Sequence, residues 1–274
     1  MLSSNKIKRF GDFLECKQND SVKSSLTSMN TSKLASRKFE MFNVSEMTAR
    51  RDLRELDREG LLRRVHGGAM NGLGRSYEPP YLTRSTHNHD VKRAIGVYAA
   101  SMIKDGESIA LDVGTTTLEV ARALEGKRNL TVITASLPIA NDIVTRFTLD
   151  SEVRLILTGG IVRAGELSMI GQFPAHFYSE IHVDKAFLGM GGISLEDGLT
   201  EYNLDDALVK KSLIKSAQQT ILVVDSTKFS RTTFASVGPL SVVDELITDS
   251  RISLEMLNAL QNQGIEVHLV NIPD

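Results

Sequence analysis

The chain has 274 residues, 41% of them hydrophobic, with 32 Lys+Arg against 34 Asp+Glu and a formal net charge of −2. That length holds two domains or one large one, with enough apolar residues to bury a full core. The single cysteine, Cys16, excludes an intramolecular disulfide and any multi-cysteine zinc site, and no apolar run approaches the roughly 18 residues of a membrane span.

The charge is unevenly spread. Residues 1–70 carry 14 Lys+Arg against 9 Asp+Glu, a balance of +5, while the remainder carries 18 against 25, a balance of −7. A basic head on an acidic body fits a nucleic-acid-binding unit attached to a domain that binds something else. The opening MLSSNKIKRFGDFLECK lacks the continuous apolar core of a signal peptide, so a cytoplasmic protein is expected.

Taken in chain order, the head opens on a weak helix suggested by Ile7, Phe10, Phe13 and Leu14, with Gly11 inside it. Residues 17–32 are rich in Ser, Thr, Asn and Lys and are expected to be partly disordered. The stretch 43–69, NVSEMTARRDLRELDREGLLRRVHGGA, reads as a helix, a glycine stop and a basic strand. Ser45 stands at the N-cap and Gly60 at the C′ position. Ala49, Leu53 and Leu56 form the inward stripe, while Met47, Arg51 and Arg54 project from the opposite side, flanked by Thr48 and Arg50. Arginines outward near a helix start suit a major groove, where a guanidinium can hold a guanine edge or a phosphate. Arg63, Arg64 and His66 would lie on a wing strand along the DNA backbone or minor groove. Solvated surface charge is the ordinary reading of such a helix; the cap, stripe, stop and basic strand together outweigh it.

Residues 71–90, with glycines and the Pro79-Pro80 pair, read as a linker between a 1–70 head and a 91–274 body. The body alternates apolar runs (108–113, 130–134, 153–158, 185–190, 220–225, 245–249 and 265–270) with helix-like segments. Runs this apolar predict strands buried on both faces, hence an α/β fold with a mostly parallel sheet. Polar residues gather at the strand ends, where such sheets bind ligands. Asp112, Gly114, Thr115, Thr116 and Thr117 close the first strand and open a helix whose free amides suit an anion. Ser136, Gly159, Gly160, Gly191 and Lys228 hold similar positions, and Lys228 or Arg163 can supply positive charge. The pattern predicts an anionic, hydroxyl-rich ligand, a phosphorylated sugar being the natural choice. His176, His182 and His268 lack metal-ligand spacing, and neither a metal nor a cofactor is expected.

The head motif, VS-x-x-T-x-RRDL followed by GLL-x-R-x-HGGA, resembles the DNA-binding half of the DeoR family of bacterial transcriptional repressors. The body resembles that family's effector domain, a fold similar to ribose-5-phosphate isomerase, through KRAIG, DVGTTT, LTGGIVR, DKAFLGMGGI, DGLT and DSTKF. The resemblance implies a winged helix-turn-helix followed by a sensor, and marks Asp112, Gly114 to Thr117, Gly159, Gly160, Arg163 and Lys228 as effector contacts. Lys92 and Lys210 also match, with an exposed helix lysine as the equal alternative. The sequence departs from the family at Ala135, where Asn is usual, at Ala49, and over residues 1–42. The expected function is a DNA-binding repressor of carbohydrate metabolism genes, controlled by a phosphorylated sugar or related metabolite. Its partners would be double-stranded operator DNA and that effector, with no membrane, in a homodimer or homotetramer. Two alternatives stand beside it. One is a sugar-phosphate isomerase-like enzyme with Asp112 or Glu201 as base. The other is a repressor that has lost ligand sensing through Ala135.

Overall fold

The computed structural model describes Met47, Arg51, Arg54, residues 63–65 and 68–70, 74–147 and 152–271. The chain forms two compact units, Met1–Leu73 and Gly74–Asp274. In the first, Met47, Arg51 and Arg54 are helical and exposed. Their i, i+4, i+7 spacing puts them on one helix face, while Ala49, Leu53 and Leu56 of the expected inward stripe lie outside the described residues. Strands β1 (Arg63–Val65) and β2 (Gly68–Met70) pair antiparallel, with Arg64 opposite Ala69, so the expected wing strand has a partner. Ser45, Thr48, Arg50 and His66, like the weak helix and the stretch 17–32, lie outside the described residues.

The stretch expected as a linker belongs, from Gly74 onward, to the second unit. It carries helix α1 (Tyr81–Thr86), opened directly behind Pro80 and seated by the buried Tyr81. Seven strands then build one sheet: β3 (Ser108–Leu111), β4 (Thr131–Thr134), β5 (Arg154–Leu157), β8 (Val183–Leu188), β11 (Ala217–Val223), β13 (Glu245–Asp249) and β14 (Glu266–Val270). Their order is β14-β13-β11-β8-β3-β4-β5, and every pair is parallel. Each expected apolar run is one of these strands.

Alternate side chains of the central strands enter two cores. Ile109, Leu111, Phe187, Ile221, Val223 and Ile247 face α2 (His89–Ser101), α3 (Thr115–Arg122) and α4 (Leu137–Arg146). Ala110, Ala186, Leu188, Leu222 and Leu246 face α5 (Gln172–Ser179), α6 (Leu204–Ser216) and α7 (Leu254–Asn262). Each fully buried Ile or Leu contributes about 1.5–3 kcal/mol, which is what fixes the register. The edge strands β5 and β14 are partly exposed, so two-sided burial holds only at the centre. The starts of α4, α6 and α7 are capped by a side chain. Ser136 accepts from Ile139 N (3.4 Å), Asn203 Oδ1 from Asp205 N (2.8 Å), and Ser253 from Met256 N (3.2 Å).

Two small additions were not legible in the apolar pattern. Strands β6 (Ile161–Arg163) and β7 (Ser168–Ile170) form a hairpin, and β9 (Gly192–Ser194), β10 (Gly198–Glu201) and β12 (Ala235–Gly238) form a three-stranded antiparallel sheet. The first carries Arg163 and the second Glu201.

Candidate effector site and nucleic-acid interface

From β3 the chain runs outward through β4 and β5, then returns to the other side of β3 as β8. The order therefore reverses between β3 and β8, and the crevice beyond their carboxyl ends is the natural ligand site of such a sheet. Asp112 follows β3 and Gly189 follows β8. Lys210, from α6, plugs this point. Its ammonium donates to the Asp112 carboxylate and to the Gly189 carbonyl (2.9 Å), and stands 3.4 Å from Glu201 Oε2. Gly189 N also donates to Asp112 Oδ2 (3.1 Å).

Lys210 and Lys92 are both buried, which overturns the exposed-lysine alternative for each. The neighbouring Asp112 and Glu201 carboxylates hold the Lys210 ammonium above its ordinary range although burial works against it. Burial pushes the Glu201 carboxyl up, opposed by Lys210. Lys92 donates to the Arg84 and His87 carbonyls, the latter at 2.8 Å, and burial pulls its ammonium down to about 8. It thereby ties the end of α1 to α2.

Beside this plug runs a chain of alternating charges: Glu166, Arg84, Glu78, Arg163, Asp206. Arg163 Nη1 donates to Glu78 Oε2 and to Asp206 Oδ2, both at 2.7 Å. Arg84 Nη2 pairs with Glu78 Oε1 (2.8 Å) and with the Glu166 carboxylate. Asp206, buried and facing Glu201, has its carboxyl pushed up to about 6. Arg163 and Glu166 come from the β6–β7 hairpin, Asp206 from α6, and Glu78 and Arg84 from the stretch read as a linker. Sequence reasoning missed Glu78, Arg84, Glu166 and Asp206.

The other expected effector residues surround this centre in different roles. Thr115, Thr116 and Thr117 are buried in the first turn of α3, with Gly114 at its N-cap; Thr117 Oγ1 donates to Gly114 O (3.1 Å). Ser136 is buried as the cap of α4. Gly159 and Gly160 adopt φ of +73° and +127°, and a Cβ on Gly160 would meet Pro174 Cδ at 2.9 Å, so close packing on α5 explains that glycine. A Cβ on Gly191 would meet Glu201 Oε1 at 2.5 Å, so Gly191 makes room for that carboxylate. Ala135 is buried and its carbonyl accepts from Met169 N (2.8 Å). Lys228 ends a short 3-10 turn (Ser226–Lys228) after β11 and is half-buried. Among the described residues its ammonium makes no hydrogen bond or ion pair, and burial pulls it below the usual lysine range against the pull of Asp225. The buried Tyr202 hydroxyl is likewise without a partner among the described residues, while the Arg231 guanidinium stacks 5.4 Å from its ring.

A separate cleft of about 750 Å³ opens between α1, α3 and α4, lined by Tyr81, Thr115, Leu118, Leu137 and Leu167 among others. Of the expected effector residues only Thr115 lines it. Across the sheet, His268 Nε2 is 2.5 Å from Glu245 Oε2 and 3.7 Å from Glu266 Oε1, with Nδ1 3.0 Å from the Tyr98 hydroxyl. These groups sit on adjacent parallel strands, a closeness that sequence spacing hides. A hydrogen bond between imidazole and carboxylate accounts for the short contact, and Tyr98 links it to α2.

In the first unit the exposed face of Met47, Arg51 and Arg54 stands on the helix that precedes the β1–β2 hairpin. Met47 is 79% exposed, an unusual degree for an apolar side chain. Among the described residues no helix is long and apolar enough to cross a membrane.

The comparisons with known proteins cover both units. Residues 25–71 match the DeoR-like helix-turn-helix domain and residues 87–250 the DeoR C terminal sensor domain. The glycerol-3-phosphate regulon repressor of Escherichia coli (strain K12) is 32% identical over 230 residues, covering 84% of this chain and 89% of that protein. The transcriptional repressor AccR of Agrobacterium fabrum is 35% identical over 212 residues, covering 77% and 81%. Among solved structures, ribose 5-phosphate isomerase A of Methanocaldococcus jannaschii is 20% identical with a TM-score of 0.37, covering 52% of this chain and 55% of that one. That last likeness is partial and carries no functional weight. With a sensor and a head matched in one chain, and relatives of this identity over nearly their whole length, the protein belongs to the DeoR family of transcriptional repressors.

Proposed function

We propose that the chain represses carbohydrate metabolism genes and that a phosphorylated sugar, bound at the β3–β8 crevice, controls it. The observation that carries this reading is the half-buried Lys228 ammonium, which makes no hydrogen bond or ion pair among the described residues, the neighbouring Asp225 carboxylate being held by Thr227 and Asn88. A shielded ammonium with its hydrogen-bond donors unused is open to an anion, and a phosphate would take them up. Arg163, the free amides of the Gly114–Thr117 turn and the unpaired Tyr202 hydroxyl would complete the ligand's surroundings. Ser136, Gly159, Gly160 and Gly191 act as shapers of this crevice.

On the DNA side, Met47, Thr48, Arg51 and Arg54 would face bases or phosphates in a major groove, with Ser45 as the cap. Arg50, Arg63, Arg64 and His66 would hold the backbone. One small head contacts too few bases for tight specific binding, so a dimer or tetramer on a paired operator is proposed. A regulator of chromosomal operators works in the cytoplasm. We read the sensor as a binding domain and not as an isomerase. Asp112 and Glu201, the two carboxylates available as a base, both face the Lys210 ammonium, which leaves Asp112 poorly placed to take a substrate proton.

The test selects a binding site from random duplex DNA with the full chain, then titrates a panel of sugar phosphates into the complex. The expected result is an occupancy change with a phosphorylated sugar but not with the same sugar lacking phosphate. Equal responses to both would overturn the proposed ligand.

A further inference from the structure

Resting on that effector reading, we propose that Glu78 is a built-in stand-in for the effector's phosphate, and that an incoming phosphate displaces it from Arg163 and Arg84. The two oxygens of this one carboxylate are divided between two guanidinium groups, Oε2 to Arg163 (2.7 Å) and Oε1 to Arg84 (2.8 Å). That is how a phosphate oxygen pair is held. Glu78 is 10% exposed and its two partners 19% and 26%, so the pairing is substantially shielded from water. Arg163 is thus the effector cation expected from the sequence, already holding a carboxylate, while Lys228 nearby feels Asp225 without making an ion pair or hydrogen bond among the described residues.

The exchange adds negative charge at this centre, since Glu78 carries one and a phosphate monoester about 1.5–2. Removing Glu78 from this centre leaves Arg84 on Glu166 and Arg163 on Asp206, each still anchored but short of one anion. A phosphate supplies that anion and can also reach toward Lys228.

The location of Glu78 gives the exchange a consequence. It lies in Gly74–Pro80, the first segment of the second unit, and therefore on the chain that continues to Leu73 and the first unit. Among the described residues, that segment's other polar anchors are the turn Tyr77 N to Gly74 O (2.8 Å), the Pro79 carbonyl, which accepts from Arg84 Nε (3.0 Å), and the Pro80 carbonyl, which accepts from Arg84 N (3.0 Å). Displacing Glu78 would release the start of the sensor, so that occupancy of the crevice is read at the connection between the units.

The experiment measures binding of inorganic phosphate and of glycerol 3-phosphate to the full chain by calorimetry, for wild type, Glu78→Gln and Lys228→Gln. In parallel, trypsin cutting at the exposed Arg75 is followed in wild type with and without phosphate. Glu78→Gln keeps the shape and removes the competing charge. It is expected to bind either anion about 5- to 150-fold more tightly, the usual range for coupled ligands. Lys228→Gln is expected to weaken binding, and phosphate to speed cutting at Arg75. Wild-type affinity in Glu78→Gln, with weakened binding in Lys228→Gln, overturns the stand-in while leaving the anion site in place. Should Glu78→Gln not fold, the wild-type cutting decides: bound anion with an unchanged rate at Arg75 overturns the proposal. No anion bound by any form removes the effector reading and this inference together.

Discussion

Lys210 and Asp112, 98 residues apart in sequence, meet as a fully enclosed ion pair where the parallel sheet reverses its order. The Gly189 carbonyl and amide complete the contact from the next strand, so one lysine holds β3, β8 and α6 together. The crevice in which the effector is proposed to bind is built around this tie.

Breaking that tie from one side leaves a buried carboxylate with no counter-charge. Lys210→Met is therefore expected to destabilise the chain by about 3–5 kcal/mol in urea unfolding. The double change with Asp112→Asn is expected to recover much of the loss. A single variant within 1 kcal/mol of wild type would contradict the assignment.

Asp206 sets a pH dependence. Burial, then the Glu201 charge, pushes its carboxyl up to about 6 from the ordinary 3.8. Between those values the folded chain binds more protons than the unfolded one, so this group's contribution to stability falls as pH rises through that window. Asp206→Asn removes the fall. Its stability relative to wild type is expected to rise by up to about 3 kcal/mol between pH 4 and pH 6.5. Parallel unfolding curves against pH would show that Asp206 titrates normally.

Gly96 on α2 faces the α3 backbone, and a Cβ there would lie 2.4 Å from the Glu119 carbonyl carbon. Because the obstacle is backbone, the helices must separate to admit it. Gly96→Ala is expected to lower stability by about 1–3 kcal/mol, despite alanine's better helix propensity. A thermal midpoint equal to or above wild type would mean the two helices slide freely.

For the head, Arg51→Ala is expected to weaken binding to the selected duplex by about 1–3 kcal/mol if it reads a base, with relaxed preference at that position. Arg63→Ala, if it holds a phosphate, should weaken binding evenly across sequences and flatten the salt dependence by about one unit of slope. Fluorescence anisotropy at several salt concentrations separates the two roles.

The seven-stranded sheet was legible because its central strands are buried on both faces, which forces continuous apolar runs such as SIALDV and TILVVD. The hairpin carrying Arg163 and the small sheet carrying Glu201 were not, since three- or four-residue strands broken by glycine leave no periodic signal. Helix α1 was hidden by the prolines before it: YLTRST is too short for a helical pattern to emerge. Within the site, Arg163 and Lys228 stood out as cations beside strand ends. Their anionic neighbours did not, because pairing is decided by the fold: Glu78 meets Arg163 across 85 residues and Arg84 meets Glu166 across 82. Lys210 matched a family position, yet only the packing of α6 against the sheet showed it to be buried.

The most direct test of effector control uses the full chain on its selected duplex, titrated with the sugar phosphate that changes wild-type occupancy, alongside Arg163→Gln and Lys228→Gln. Both variants are expected to lose the response; Lys228→Gln should bind the duplex as wild type does, while Arg163→Gln, which loosens Glu78, should shift toward the binding of the liganded wild type. A response of wild-type size in both would contradict the account.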